Sequence, residues 1–167
     1  MKDYITYIEN HISEKKHLII TGSRGSGKST LLKKYIEYYG DAIPGIITWC
    51  EPGKAVYMRA SDDDSFTTIG LYSSDGASKE NRMIPIQEGF TEYGVNALTR
   101  LINSKTEWMF IDEIGYLEGT SKDYLAKLNE AFQRKKVMAV VRKQKLEFLR
   151  DIINQKDALV IDLDIGI

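Results

Sequence analysis

The chain has 167 residues, 43% hydrophobic and 28% charged, with a net charge of -1 at pH 7; this is typical of a globular protein and offers no basic surplus for binding nucleic acid. Cys50 is the only cysteine, so an intrachain disulfide is excluded and a reducing compartment is expected. Because the charged N-terminus lacks the apolar core of a signal peptide and no apolar run reaches the roughly 20 residues of a membrane span, we expect a cytoplasmic protein without membrane contact.

The first third of the chain predicts two helices and two strands. Residues 3–12 have helical spacing of isoleucines after Asp3, a possible N-cap. The apolar run at 17–20 predicts a buried strand that leads into a glycine-rich stretch. Residues 28–40 then have a helical apolar stripe that ends at a glycine, and residues 43–50 predict the second strand.

The middle of the chain has a different pattern. A Pro-Gly pair at 52–53 separates two β-prone runs, and a third run, "FTTIGLYS", follows a polar break. Turn residues between short β-prone runs are typical of antiparallel strands. We therefore predict a hairpin or meander over about residues 48–75.

The second half alternates between helical and strand patterns. Helices are predicted at 91–104, 121–134 and 143–155, and strands at 107–112, 136–142 and 158–164. Strand–helix alternation at both ends of a chain predicts a mostly parallel sheet with helices on its two faces. The prediction is an α/β protein in which residues 1–167 form a single domain.

The glycine-rich stretch "TGSRGSGKST" contains a complete phosphate-binding motif. Gly22, Gly27, Lys28 and Ser29 match G-x-x-x-x-G-K-[ST] between a predicted strand and a predicted helix. Glycines let the backbone curl so that amide groups point inward, and the helix adds the positive end of its dipole. We predict that Lys28 contacts the β- and γ-phosphates and that the Ser29 hydroxyl is a ligand of Mg²⁺.

The whole loop is included in the predicted phosphate site. The residues are Gly22, Ser23, Arg24, Gly25, Ser26, Gly27, Lys28, Ser29 and Thr30. Two of them have a second interpretation: Arg24 can point to solvent, and Thr30 can be an ordinary residue of the first helical turn.

Two acids follow the buried strand "WMFI". Asp112 and Glu113 come where a parallel strand reaches the carboxyl edge of the sheet, which is the edge where open α/β sheets bind ligands. Asp112 is predicted to hold Mg²⁺ opposite Ser29, and Glu113 to orient the water that attacks the γ-phosphate. The alternative for each acid is a solvated loop carboxylate or a helix cap.

A third predicted catalytic residue comes from strand order. In P-loop proteins with an additional strand and a catalytic glutamate, the strand after the acid strand lies between it and the loop strand. Here that strand is 136–142, and Arg142 at its tip would face the γ-phosphate. Arg142 could supply positive charge to the transition state, or it could be a surface arginine.

These motifs together resemble the small nucleoside-triphosphatase family that includes the cancer-related nucleoside-triphosphatase. The matching segments are "ITGSRGSGKSTLL", "GIIT", "FTEYGVNAL", "FIDEIGYLE" and "AVVRKQK". The resemblance implies a three-layer P-loop NTPase fold and Mg²⁺-dependent hydrolysis of several nucleoside triphosphates, including ATP and GTP, to diphosphate and phosphate. Residues 49–66 do not follow the family pattern, which leaves the roles of Trp49 and Arg59 open.

Two other functions fit the same motifs. A nucleoside or nucleotide kinase would need arginines grouped on a mobile lid, whereas the seven arginines here are scattered. A nucleotide-binding switch or accessory module would bind the triphosphate with negligible turnover, and the predicted antiparallel segment could then contact an unidentified protein partner.

Overall fold

The computed structural model describes residues 3–40, 42–73 and 83–167. Its strands are β1 (His17–Thr21), β2 (Gly45–Glu51), β3 (Ala55–Ala60), β4 (Thr67–Tyr72), β5 (Met83–Pro85), β6 (Trp108–Ile114), β7 (Lys136–Val141) and β8 (Ala158–Asp162). Its α-helices are α1 (Tyr4–Ile12), α2 (Lys28–Tyr39), α3 (Val95–Ile102), α4 (Lys122–Arg134) and α5 (Glu147–Ile153).

All eight of these strands form one sheet in the order β5-β4-β3-β2-β6-β7-β1-β8. The strands β2, β6, β7, β1 and β8 pair in parallel, and β3 to β5 extend the β2 edge in antiparallel pairs. The predicted position of β7 between the loop strand β1 and the acid strand β6 is therefore confirmed. The antiparallel extension is longer than predicted, because β5 at residues 83–85 lies beyond position 75.

Side-chain alternation along the parallel strands creates two cores. On β1, Leu18 and Ile20 belong to the core under α1 and α2, whereas Ile19 belongs to the core under α3, α4 and α5. Successive residues of a strand point to opposite faces, so strands buried on both faces have continuous apolar runs. The helices thus cover both faces of the sheet, which confirms the predicted three-layer α/β fold.

The helix ends agree with the predicted caps. Asp3 accepts a hydrogen bond from the amide of Thr6, and Gly40, with φ of 79°, ends α2 by donating its amide to the Ile36 carbonyl. A π-helical turn, Gly89–Gly94, precedes α3 and overlaps the start of the helix predicted for 91–104. None of the helices in the described ranges is long and apolar enough to cross a membrane.

The helix predicted for residues 143–155 begins later than expected, at Glu147. The amide of Gln144 donates to the Arg142 carbonyl, and the amide of Leu146 donates to the Gln144 carbonyl. The Gln144 side chain accepts a hydrogen bond from the amide of Tyr116. The segment before α5 therefore forms tight turns that support the loop after β6, and the helical periodicity alone did not predict this.

Candidate functional site

The glycine-rich loop between β1 and α2 has a backbone that most side chains could not adopt. Gly22, Gly25 and Gly27 have φ angles of 145°, 77° and 95°, which lie in the region open to glycine. Gly27 is also the N-cap of α2, so the loop leads directly into the positive end of the helix dipole. This is the conformation that the motif predicted.

Lys28 lies inside the loop. Its side chain is 8% exposed, and its Nζ donates to the carbonyls of Gly22 at 3.1 Å and Ser23 at 2.7 Å. The Ser26 hydroxyl is also buried, and it has no hydrogen-bond partner among the described residues. Such an orphan donor costs free energy unless a ligand satisfies it, and a phosphate oxygen has the required chemistry.

Ser29 connects the loop to the acid strand. Its Oγ donates to Oδ1 of Asp112 at 2.7 Å, although the two residues are 83 positions apart. Asp112 is 6% exposed at the end of β6. Burial is the largest influence on this carboxyl and raises its pKa, with a smaller rise from Glu113, while the hydrogen bond from Ser29 opposes the rise.

The register between β6 and β7 shifts at Glu113. Asp112 is opposite Val140 and Ile114 is opposite Val141, so Glu113 has no partner of its own in this ladder. A residue at such an irregularity can project differently from its neighbours. Glu113 accepts a hydrogen bond from the Arg142 guanidinium, and the two side chains form an ion pair. The predicted catalytic acid and arginine therefore lie together.

Thr48, in the middle of β2, holds the Asp112–Glu113 peptide in place, a role that the sequence did not assign to it. Its hydroxyl donates to the Asp112 carbonyl at 2.9 Å and accepts from the Glu113 amide at 3.0 Å. Both contacts join separate strands, and the signal in the sequence was the segment "GIIT", which ends at this residue.

Glu118 is a second residue that the sequence did not assign. It lies in the short 3₁₀ helix Glu118–Thr120, is 4% exposed, and its Oε2 accepts the Gly115 amide at 2.7 Å. Burial raises its pKa to about 7, and the charge of Glu113 adds to the rise while Arg142 opposes it. This carboxyl stabilises the turn directly after the two predicted catalytic acids.

We expect the Glu118 carboxyl to make stability depend on pH. Its folded pKa is about 7 against an ordinary value of 4.5, so the folded state binds the extra proton between these values. Its stabilising contribution is present below pH 4.5 and is lost as pH rises through 7, a change of about 3 kcal/mol. The free energy of unfolding in urea, measured for wild type and Glu118→Gln at pH 5 and pH 8, should fall more for wild type as pH rises. Equal decreases in the two proteins would contradict the prediction.

Asp164, after β8, holds the other end of the loop. Its carboxylate accepts the Ser23 amide at 2.9 Å and the Ser23 hydroxyl at 2.8 Å. The hydrogen bond from the Ser23 amide has the largest effect on this carboxyl and that from the Ser23 hydroxyl the next largest. Both lower the pKa of Asp164, to about 2. Lys143 pairs with both Asp162 and Asp164. The loop is therefore anchored to β8 as well as to β6.

The remaining predicted loop residues lie at the surface. Arg24 and Thr30 are exposed, as their second interpretations allowed. Trp49 packs against Tyr57, with ring centroids 5.4 Å apart, which agrees with a role in sheet packing. In the described part of the chain, no group of three or more His, Cys, Asp or Glu residues could hold a metal. A hydroxyl and one carboxylate nevertheless fit Mg²⁺ when phosphates supply further oxygen ligands.

Comparison with known proteins gives a similar fold and a protein family. The crystal structure of THEP1 from the hyperthermophile Aquifex aeolicus matches with a TM-score of 0.72 at 22% identity, over 88% of this chain and 89% of that chain. At this identity the similarity supports the fold alone. No curated protein sequence matches the chain. The model of a protein family described as NTPase matches residues 17–166, and because this match spans most of the chain, including the glycine-rich loop and the acid strand, the chain belongs to the NTPase family.

Proposed function

We propose that this protein hydrolyses nucleoside 5'-triphosphates, ATP and GTP among them, to diphosphate and phosphate with Mg²⁺. The observation that carries the proposal is the 2.7 Å hydrogen bond from Ser29 to Asp112. It joins the phosphate loop to the acid strand, so that one terminal phosphate could be reached from both. Membership of the NTPase family supports the same activity.

The loop would bind the phosphates through its amides, through Lys28 and through the start of α2. Lys28 Nζ donates to two loop carbonyls at 3.1 Å and 2.7 Å, and phosphate oxygens would compete for it because they carry more negative charge. Ser26 would donate its buried hydroxyl. Ser29 and Asp112 would hold Mg²⁺, which when bound neutralises charge on the β- and γ-phosphates.

Glu113 and Arg142 would act on the terminal phosphate together. The ion pair between them neutralises both groups. A terminal phosphate would attract the Arg142 guanidinium away from Glu113, and the guanidinium would then stabilise charge that develops in the transition state. The released carboxylate would accept a hydrogen bond from the attacking water and orient it toward phosphorus.

Phosphate release from ATP, GTP, CTP and UTP, measured with Mg²⁺ and with excess EDTA, tests this proposal. We expect release from at least ATP or GTP, and we expect EDTA to abolish it because the metal is part of the site. A protein that binds these nucleotides tightly but releases no phosphate would contradict hydrolysis and favour a nucleotide-binding switch.

Thr48→Val should lower turnover by displacing Glu113, although residue 48 itself is not proposed to contact the substrate. Valine keeps the shape of threonine but removes the hydroxyl that connects the Asp112 carbonyl to the Glu113 amide. We expect turnover to fall about ten- to a hundredfold and the free energy of unfolding to fall by about 1–3 kcal/mol. Thr48→Ser, which keeps the hydroxyl, is the matched control. Equal turnover in the valine and serine variants would exclude this positioning role.

Three finer points belong to the same proposal. The segments "FIDEIGYLE" and "AVVRKQK" suggest the branch of the family that includes the cancer-related nucleoside-triphosphatase. Cys50 is exposed as a free thiol, and a free exposed thiol is stable under reducing conditions. We therefore assign the enzyme to the cytoplasm. We also regard residues 1–167 as a single P-loop domain.

A further inference from the structure

A cavity of about 360 Å³ lies beside the Glu113–Arg142 ion pair. Besides these two residues it is lined by parts of the antiparallel extension and of the turn after β6, among them Cys50, Val56, Tyr72, Met83, Tyr116 and Leu117. Of the described residues that line it, Arg24 comes from the phosphate loop. The cavity therefore borders the phosphate site and extends beyond it toward the antiparallel strands.

Strand register shows how the antiparallel extension builds one wall. Cys50 is opposite Val56, Val56 is opposite Gly70, and Tyr72 is opposite Met83. Residues directly opposite each other in a sheet point to the same face, as do residues two apart on one strand. These residues share one face of the extension, and Trp49, the neighbour of Cys50 on β2, also lines the cavity. The Tyr116 hydroxyl ties the opposite wall to Met83: it accepts from the Met83 amide at 3.2 Å and donates to the Met83 carbonyl at 3.2 Å.

The size of the cavity exceeds what hydrolysis requires. A single attacking water occupies about 30 Å³, whereas small-molecule sites in proteins range over roughly 300–1,000 Å³. The cavity, at about 360 Å³, is in the second range. The attacking water alone does not account for this volume, so there is room for a further ligand beside Glu113.

The charges around the cavity indicate a neutral ligand. Among the described residues that line it, two guanidinium groups, Arg24 and Arg142, accompany two carboxyl groups, Glu113 and Glu118. Glu118 is 4% exposed, so it is a buried polar group on a wall that is otherwise partly apolar. Because Arg142 is already paired with Glu113, these residues favour a ring with hydroxyl or amino donors over a second phosphorylated ligand.

We propose that this cavity binds a second ligand beside the triphosphate, a neutral molecule of the nucleoside class with a flat ring and hydroxyl donors. The inference rests on the proposed function, because the triphosphate is taken to occupy the loop. A hydroxyl of the bound nucleoside lies where the attacking water must lie, next to Glu113. Occupancy of the cavity therefore lowers the rate at which free phosphate is released.

The test is calorimetry on the full chain saturated with Mg²⁺ and a non-hydrolysable ATP analogue, which prevents nucleosides from binding in the triphosphate site. Adenosine, guanosine, cytidine, uridine and thymidine are titrated separately. At least one is expected to bind with one-to-one stoichiometry, and the same nucleoside is expected to lower phosphate release from ATP at least threefold. If none of the five binds, the proposal is wrong.

A matched pair of variants locates the binding. Cys50→Trp fills the cavity from an exposed position, whereas Glu51→Trp adds the same ring at the next position of β2, which is not among the described residues that line the cavity. We expect at least tenfold weaker nucleoside binding in Cys50→Trp and wild-type binding in Glu51→Trp. Equal binding in both variants, with both folded by circular dichroism, would overturn the proposal. Phosphate release without nucleoside, measured in parallel, tests the hydrolase function independently.

Discussion

Replacing Glu113 with glutamine is expected to lower turnover of bound triphosphate at least about a hundredfold, since general bases typically contribute 10²–10⁴-fold. The amide keeps the size of the carboxylate but can no longer accept the proton of the attacking water. Nucleotide affinity should change little, because the phosphate-binding groups are Lys28 and the loop amides. Stopped-flow binding of a fluorescent ATP analogue and single-turnover phosphate release separate these two quantities.

The control for this prediction is Glu14→Gln, the same chemical change at an exposed position in the N-terminal region. It should leave both quantities at their wild-type values. Because Glu113 also pairs with Arg142, the variant frees the guanidinium, so the thermal midpoint of unfolding should be recorded as well. Wild-type turnover in a folded Glu113→Gln protein would remove Glu113 from the mechanism.

Replacing Lys28 with methionine is expected to reduce kcat/KM on the order of a hundred- to a thousandfold, the usual cost of losing one preorganised donor to transition-state charge. Methionine fills the space of the lysine stem, which is needed because the side chain is 8% exposed. Unlike the Glu113 change, this variant should also weaken nucleotide binding, since Lys28 would contact the phosphates in the ground state.

The Lys28 variant also loses two hydrogen bonds to the loop carbonyls of Gly22 and Ser23. Thermal unfolding therefore accompanies the kinetic measurements. Lys34→Met, at an exposed position of the same helix, is the control for removal of one positive charge from α2. If both methionine variants lost activity equally, the effect would come from general electrostatics, and the specific role of Lys28 would be refuted.

The loop and its flanking elements could be predicted because the information is contiguous in the chain. Gly22 to Ser29 match a motif in which each residue type has a local reason, namely backbone freedom, an amine on a flexible stem and a hydroxyl at a helix start. The visible alternation of helical and strand patterns predicted a mostly parallel sheet, because parallel strands need crossover helices. The order of the central strands was taken from the plan of P-loop proteins with an additional strand and a catalytic glutamate. The position of β7 between β1 and β6 follows from that plan.

Contacts between segments far apart in the chain could not be predicted in this way. Thr48 and Asp164 have ordinary sequence surroundings, yet they hold Glu113 and Ser23 across 65 and 141 positions. Glu118 received no role from the sequence, but packing of its turn against α4 buries it. The predicted start of α5 at residue 143 was wrong, because the Gln144 side chain accepts a hydrogen bond from the Tyr116 amide. This tertiary contact outweighs helical periodicity.

The amino-acid sequence by itself therefore determined the chemistry: a phosphate loop, a strand that ends in two acids and an alternation that produces an α/β sheet. Those features depend on local backbone conformation and on the period of apolar residues, both of which act over a few neighbouring positions. The tertiary structure alone decided that Glu113 pairs with Arg142, that Glu118 is buried and that the antiparallel extension encloses a cavity. Burial and side-chain pairing depend on which distant segments pack together, and short-range sequence patterns do not predict those contacts.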